Sequence, residues 1–299
     1  MSISVVPKLL MAGTGIPARH GGTAFGCPRD FLSNRFVYTV VSPRAGGLSI
    51  GVNMNPDKHC DFDCAYCEVD RSQPARDQSL DVATMKVELR ETLQLVQSGG
   101  IRERPAYRSL PNELVTLRHV ALSGDGEPTL CPNFLEAVET VIHLRARNQS
   151  PFFKLVLITN ASGLDRADVL TGLRHFTSSD EVWAKLEGGT QEYVNRVNKP
   201  QRDIETILAN ILNLARARPV VIQSLFPALL GTGPTPSEIE AYVERLRDLR
   251  QAGAQISLVQ IYSATRFTTH TECGHLPLRD LSNIARRVRE VTGLKAQVY

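Results

Sequence analysis

The sequence predicts an α/β protein built on a parallel sheet. From Leu48 onward, short β-prone runs alternate with longer helix-prone segments, giving six β–α units. Alternation of this kind joins parallel strands through crossover helices. Composition agrees: 42% hydrophobic and 22% charged residues in a 299-residue chain supply one sizeable core without unusual charge.

The elements follow in order. Residues 1–35 are rich in Gly, Pro and basic residues, lack periodicity, and read as an N-terminal extension partly ordered against the body. Residues 36–299 read as one domain. Residues 36–41 and 48–54 are β-prone and flank the turn-like Ser42-Pro43-Arg44-Ala45-Gly46-Gly47, which predicts a hairpin. Helices are expected over 80–98, 134–147, 166–175, 203–216, 236–252 and 278–291, the fifth opened by Thr235 and Ser237 as caps. The strands between them are expected over 115–122, 154–160, 181–187, 219–226 and 255–262, with a short edge strand at 295–299. In parallel sheets, sites form at the carboxyl ends of the strands, in the loops that follow.

The loop after the first strand of this series carries the chemistry. It reads His59-Cys60-Asp61-Phe62-Asp63-Cys64-Ala65-Tyr66-Cys67, a C-x3-C-x2-C spacing. A [4Fe–4S] cluster normally takes four thiolates. Three on one short loop leave one iron free to bind a substrate or cofactor. A zinc site would pair two short-spaced ligand couples; the other cysteines, Cys27, Cys131 and Cys273, are isolated and read as packing residues. His59 beside Cys60 would strain a tetrahedral site. A disulfide framework does not suit so few cysteines in a long chain, and Leu9-Leu10-Met11-Ala12 is too short to read as a secretion signal.

With its tyrosine before the third cysteine, the run resembles the cluster loop of radical S-adenosylmethionine (SAM) enzymes. The resemblance extends over roughly residues 36–299 and implies a partial (β/α)6 TIM-type barrel whose cluster loop follows the first strand. It implies a [4Fe–4S] cluster on Cys60, Cys64 and Cys67, with SAM chelated to the open iron and Tyr66 packed beside it. It further implies reductive cleavage of SAM to a 5′-deoxyadenosyl radical that abstracts hydrogen from a substrate. An external one-electron reductant, such as flavodoxin or ferredoxin, would supply the electron.

The strand ends offer the remaining candidates. Ser123-Gly124-Asp125-Gly126-Glu127-Pro128-Thr129 follows the second strand, and its glycines allow close backbone approach to a ligand. It resembles the Gly-Gly-Glu motif that binds the SAM amino group, with Asp125 in place of a glycine. Its Gly-x-Gly-Glu-Pro-Thr form looks like that of wyosine-type tRNA-modifying enzymes. The amino-group site therefore falls on Gly124, Asp125, Gly126 and Glu127; a helix cap is the other reading of Glu127. Asn160 ends the third strand, within reach of SAM or as a turn residue.

Trp183, Lys185 and Glu187 share one face of the fourth strand. Lys185 and Glu187 are expected as an ion pair holding SAM or touching substrate, the catalytic candidates, or else as a structural bridge. Gln223 and Ser224 on the fifth strand, and Gln260 and Tyr262 on the sixth, are candidate contacts for SAM or substrate, with Ser224 and Gln260 expected on the cofactor. Arg266 follows the sixth strand and suits a carboxylate or phosphate. Lys58 suits the anionic cluster or a Schiff-base role.

A tRNA base and a small molecule both remain open as substrates. Net charge is only +3, too balanced to argue nucleic-acid binding, and the basic stretch at 102–108 reads as a solvated loop. No apolar run approaches the ~20 residues that span a membrane. Free thiols and an oxygen-labile cluster point to the cytoplasm. Two rival readings remain: an iron–sulfur electron carrier or redox sensor without SAM turnover, and a zinc-stabilised binding module.

Overall fold

The computed structural model describes residues 23–26, 31–147, 152–266 and 268–299. In chain order the elements are β1 (Val37–Ser42), β2 (Gly47–Asn53), α1 (Val82–Gln97), α2 (Asn112–Val115), β3 (Leu117–Ser123), α3 (Phe134–Ala146), β4 (Lys154–Thr159), α4 (Ala167–Leu173) and β5 (Glu181–Lys185). They continue as α5 (Gln191–Val197), α6 (Ile204–Ala217), β6 (Val220–Leu225), β7 (Pro227–Leu229), α7 (Pro236–Gln251), β8 (Ile256–Tyr262), β9 (Cys273–His275), α8 (Leu278–Thr292) and β10 (Ala296–Val298).

Eight strands form one sheet in the order β1-β2-β3-β4-β5-β6-β8-β10. Every neighbouring pair is parallel except the β1–β2 hairpin. The order is that of a curled (β/α)6 half-closed barrel, with β1 and β10 at the two free edges. The expected hairpin, the six β–α units and the edge strand are all present. β7 and β9 pair as a separate antiparallel ribbon.

Alternation along each strand sorts side chains to two faces. Ile50, Val52, Val120, Leu122, Leu155, Leu157, Val182 and Ile222 point outward and pack with the helices in the main core. Inward-facing Val156, Trp183 and Val221 form a separate apolar cluster with Ile158 and Leu258. Side-chain caps fix several helix starts: Asp81 accepts from Thr84 N–H, Asp203 from Thr206 N–H, and Thr235 from Glu238 N–H. Ser237, the second expected cap, pairs its hydroxyl with Thr235 instead, at 3.0 Å.

Three differences from the sequence reading affect the site. The fourth strand stops at Lys185, so Glu187 lies beyond it. The seven-residue α5, opened by a Thr190 cap, is too short to show a helical period. β3 begins at Leu117, because residues 112–115 form a helical turn. The described part of residues 1–35 packs on the edge of the sheet: Val41 N–H donates to Ala24 O at 2.7 Å, and buried Glu88 on α1 accepts the N–H groups of Arg35, Phe36 and Val37. Cys27 lies outside the described residues.

Candidate active site

The cysteine loop leaves the C-terminal end of β2 and is tied on several sides. Glu127 N–H donates to His59 O at 3.0 Å, Asp63 N–H to Asn198 O at 3.0 Å, and Ala65 N–H to Val197 O at 2.7 Å. Asn160 Nδ2 donates to Asp61 Oδ1 at 2.8 Å. Thr269 closes the far side by donating its N–H to Cys67 O at 2.9 Å. Thus α5, the β3 and β4 ends, and the loop after β8 all hold the one segment.

Each cysteine sulfur faces an N–H donor. Phe62 N–H lies 3.5 Å from Cys60 Sγ, Asn198 Nδ2 3.4 Å from Cys64 Sγ, and the Arg71 guanidinium 3.3 Å from Cys67 Sγ. Burial pushes the Cys60 thiol up to about 12 and the Cys64 thiol up to about 11. Their thiolates therefore need cationic compensation of the kind iron supplies. Among the described residues, no three His, Cys, Asp or Glu side chains converge as a single ion would require. A cluster takes its thiolates on separate irons, so the donor set and its hydrogen bonding fit [4Fe–4S] better than zinc.

The glycine turn after β3 docks directly on this loop. A Cβ on Gly126 would sit 1.9 Å from His59 O and 2.6 Å from Asn55 Cβ. Gly124 has φ +140, and a Cβ there would meet Asn53. Asn53 makes a reciprocal pair with Asp125, accepting its N–H at 2.9 Å and donating to Oδ2 at 2.7 Å. Asp125 thus positions the turn. The Glu127 carboxylate is buried. One oxygen accepts from Thr129 N–H, Thr129 Oγ1 and Thr159 Oγ1, and the other from Asn160 N–H at 2.7 Å. It therefore caps the turn at Pro128–Leu130 and braces β3 against β4. Burial raises its carboxyl, against the hydrogen bonds of Asn160, Thr159 and Thr129.

A second buried network lies behind the loop. Tyr66 OH donates to Glu187 Oε2, which also accepts from Asn198 Nδ2. Lys185 Nζ donates to Tyr66 OH at 3.2 Å and lies 4.0 Å from Glu187 Oε1. The expected Lys185–Glu187 pairing is therefore mediated chiefly by Tyr66. Burial opposes the Lys185 charge, but Glu187, Tyr262 and the nearby thiols more than offset it and hold the ammonium up. Lys185 lines the cavity; Glu187 lies behind it, facing α5 and α6.

One of the other candidates needs correction, and the rest are engaged as follows. Ser224 points outward, its hydroxyl 2.6 Å from Tyr242 OH in the helix layer; alternation gives the cavity face to Gln223. Gln260 supports Gln223, accepting from its Nε2 at 2.8 Å. Lys58 donates to Asp70 O at 2.6 Å and Gln73 O at 2.8 Å, which makes it a strut of the following loop. Arg266 pairs with Glu68 at 3.2 Å. Cys131 is buried in the main core, and Cys273 lies in the β7–β9 ribbon. The basic stretch precedes β3, at the end of the barrel opposite the cysteines, and Arg102 is tied to Leu110 O and Asn112.

Sequence reasoning missed Arg71 and Asn198. Arg71 had a local signal, a base four residues past the last cysteine. Asn198 had none, since it reaches Cys64 from the end of α5.

The cysteine sulfurs, the glycine turn and Lys185 open onto one cavity of about 490 Å³ inside the barrel. A half barrel with a three-cysteine loop after its first parallel strand defines a cluster-dependent enzyme. The sequence model of the Radical SAM superfamily matches residues 54–246, more than half of the chain. The chain belongs to that superfamily, whose members use a [4Fe–4S] cluster and SAM.

Among sequence relatives, it is 25% identical over 229 residues to a UPF0026 protein of Helicobacter pylori strain J99, covering 75% of this chain and 66% of that protein. It is 27% identical over 164 residues to a UPF0026 protein of Methanocaldococcus jannaschii, covering 55% and 44%. The matched stretch thus spans less than two thirds of the length of these curated relatives.

Among solved structures, a radical SAM methyltransferase from Sphaerobacter thermophilus matches with TM-score 0.60 at 15% identity, covering 88% of this chain and 68% of that one. TYW1 with a lysine–pyruvate adduct bound matches with TM-score 0.57 at 12% identity, covering 88% and 86%. These are likenesses of fold. Among the described residues, no helix is long and apolar enough to cross a membrane.

Proposed function

We propose that this radical SAM enzyme acts by hydrogen abstraction on a small organic substrate held inside the barrel. Cys60, Cys64 and Cys67 would hold the cluster. Bound there, the cluster and SAM supply one-electron cleavage to methionine and a 5′-deoxyadenosyl radical. The observation that carries the reading is the single cavity that joins the cysteine loop to the barrel interior.

Within it the residues divide the work. The turn at Gly124, Asp125 and Gly126 presents backbone groups to the SAM amino group, and Glu127 and Asn160 hold that turn rigid. Lys185 carries the ammonium that pairs with the SAM carboxylate. Tyr66 and Glu187 fix its position, and Asn198 completes their hydrogen bonding. Gln223, braced by Gln260, offers an amide to ribose or substrate.

A small molecule is favoured over tRNA because the basic stretch lies at the wrong end of the barrel and Lys58 is engaged as a strut. A one-electron reductant such as flavodoxin or ferredoxin, and a cytoplasmic setting, complete the proposal.

The test uses anaerobically reconstituted protein. The reduced cluster's electron paramagnetic resonance spectrum is recorded with and without SAM, and 5′-deoxyadenosine is assayed in the same sample. A signal that shifts with SAM, together with 5′-deoxyadenosine, supports the reading. A cluster indifferent to SAM would return the chain to an electron-carrier role.

A further inference from the structure

The cavity continues below the cysteine loop, and its lower part holds two polar side chains that the proposed SAM site does not use. Arg44, in the β1–β2 turn, reaches over the open side of the barrel and lays its guanidinium 4.1 Å from the centre of the Tyr262 ring. Its Nε is buried without a hydrogen-bond partner, and no ion pair engages the group among the described residues. His119, on the inner face of β3, is 2% exposed. Its Nδ1 is likewise buried and unpartnered, and its ring stands nearly perpendicular to that of Trp183, the two centroids 5.3 Å apart. Both residues line the same cavity, as does Ser49, the partner of His119 across the β2–β3 register.

Buried polar groups in native proteins are nearly always bonded, and each exception calls for an explanation. Two such exceptions, in side chains that line one space, point to a ligand there. Charge narrows its class. The nearby acid, Glu181, is already engaged by Lys154 at 2.7 Å and by Trp183 Nε1 at 2.7 Å. Among the described residues no carboxylate forms an ion pair with Arg44, although Tyr299 lies near enough to feel its charge. Burial holds His119 neutral, near 3, so the floor presents one positive charge. A single planar guanidinium fork matches one carboxylate, whereas a phosphate dianion would want more charge.

We infer that the lower cavity is a carboxylate subsite, in which Arg44 clamps the acid group of a small organic substrate beside His119 and Ser49. This rests on the small-molecule reading above and adds that the substrate is an acid. Tyr262 stacks on the guanidinium and fixes its plane, so the fork is set before the ligand arrives.

The experiment compares benzoate, benzamide and phenyl phosphate as probes of the cluster-loaded, SAM-bound enzyme, by saturation-transfer NMR with the cluster oxidised. The expected result is benzoate binding at least about tenfold tighter than the isosteric neutral benzamide. Arg44→Gln should bring benzoate down to the benzamide level, and Arg44→Lys should fall between. Equal binding of benzoate and benzamide by the unaltered enzyme overturns the inference, as does an Arg44→Gln protein that keeps the preference. Phenyl phosphate binding tenfold tighter than benzoate would overturn the carboxylate assignment in favour of a phosphate ester. The unaltered-enzyme comparison stands even if Arg44→Gln fails to fold. 5′-Deoxyadenosine, measured in parallel samples after the cluster has been reduced, separates the two readings. Product without probe discrimination removes the subsite alone; discrimination without product removes the reaction and leaves the subsite.

Discussion

The backbone N–H of Glu127 donates to the carbonyl oxygen of His59, 3.0 Å away, and this bond makes the glycine turn and the cysteine loop one unit. The contact is possible because Gly126 has no side chain: a Cβ there would overlap the same carbonyl at 1.9 Å. The sequence motif that suggests a cofactor contact is thus also the seat on which the metal-binding loop rests.

Gly126→Ala is expected to displace the cysteine loop. Backbone cannot yield as a flexible side chain would, so the cost should be about 1–3 kcal/mol. Iron content after reconstitution should fall together with the denaturation midpoint. Full iron loading at unchanged stability would show that the docking is dispensable.

Arg71→Gln removes the positive charge that donates to Cys67 Sγ at 3.3 Å. A cation beside a cluster favours the electron-rich state, so its loss should lower the reduction potential. Arg71 is exposed, and solvent screens its charge. The expected shift is therefore tens of millivolts, against the roughly 59 mV that marks tenfold for one electron. Arg71→Lys should restore part of it. Potentiometric titration followed by electron paramagnetic resonance measures both, and an unshifted potential would rule out the tuning role.

Tyr66→Phe deletes the hydroxyl that links Lys185, Glu187 and Asn198. Glu187 Oε1 already lacks a hydrogen bond, so removing another partner from the carboxylate should cost about 1–3 kcal/mol. Denaturant unfolding reads the stability, and SAM affinity should weaken as Lys185 loses its anchor. A variant equal to the parent in both would show that the network is redundant.

His119 should remain neutral well into acid, because burial first, and then Lys154 and Arg44, pull it from 6.5 to about 3. The sign follows from linkage. Above the unfolded value near 6.5 its contribution is fully present. As pH falls toward 3, the unfolded chain binds a proton that the folded chain refuses, and stability drops by up to about 1.4 kcal/mol per pH unit. The imidazole carbon resonance of His119 should stay constant from pH 8 to 4. A midpoint near 6.5 would contradict its burial.

The sequence made the barrel legible because parallel strands buried on both faces leave long apolar runs, and a cap such as Thr235 marks the start of a helix between them. The cysteine loop was legible because its ligands are local. What escaped were contacts made by distant segments. Asn198 reaches Cys64 across 134 positions, and no periodicity encodes such a meeting. Ser224 was misplaced by one residue because the inward face of β6 was not fixed by its apolar pattern: Val220, Val221 and Ile222 are alike on both faces. The Arg44–His119 pair is brought together by the pairing of β2 with β3, a register the sequence does not spell out.

The hydroxyl and N–H of Thr269 both donate to the carbonyl of Cys67, 202 positions earlier in the chain. During synthesis the three cysteines would leave the ribosome long before the segment that closes over them. A nascent chain would present an open thiol cradle, sheltered only once translation had passed Thr269. Cofactor loading before that point would meet a loop not yet fixed by Thr269, and loading afterwards one already held in place from its far side.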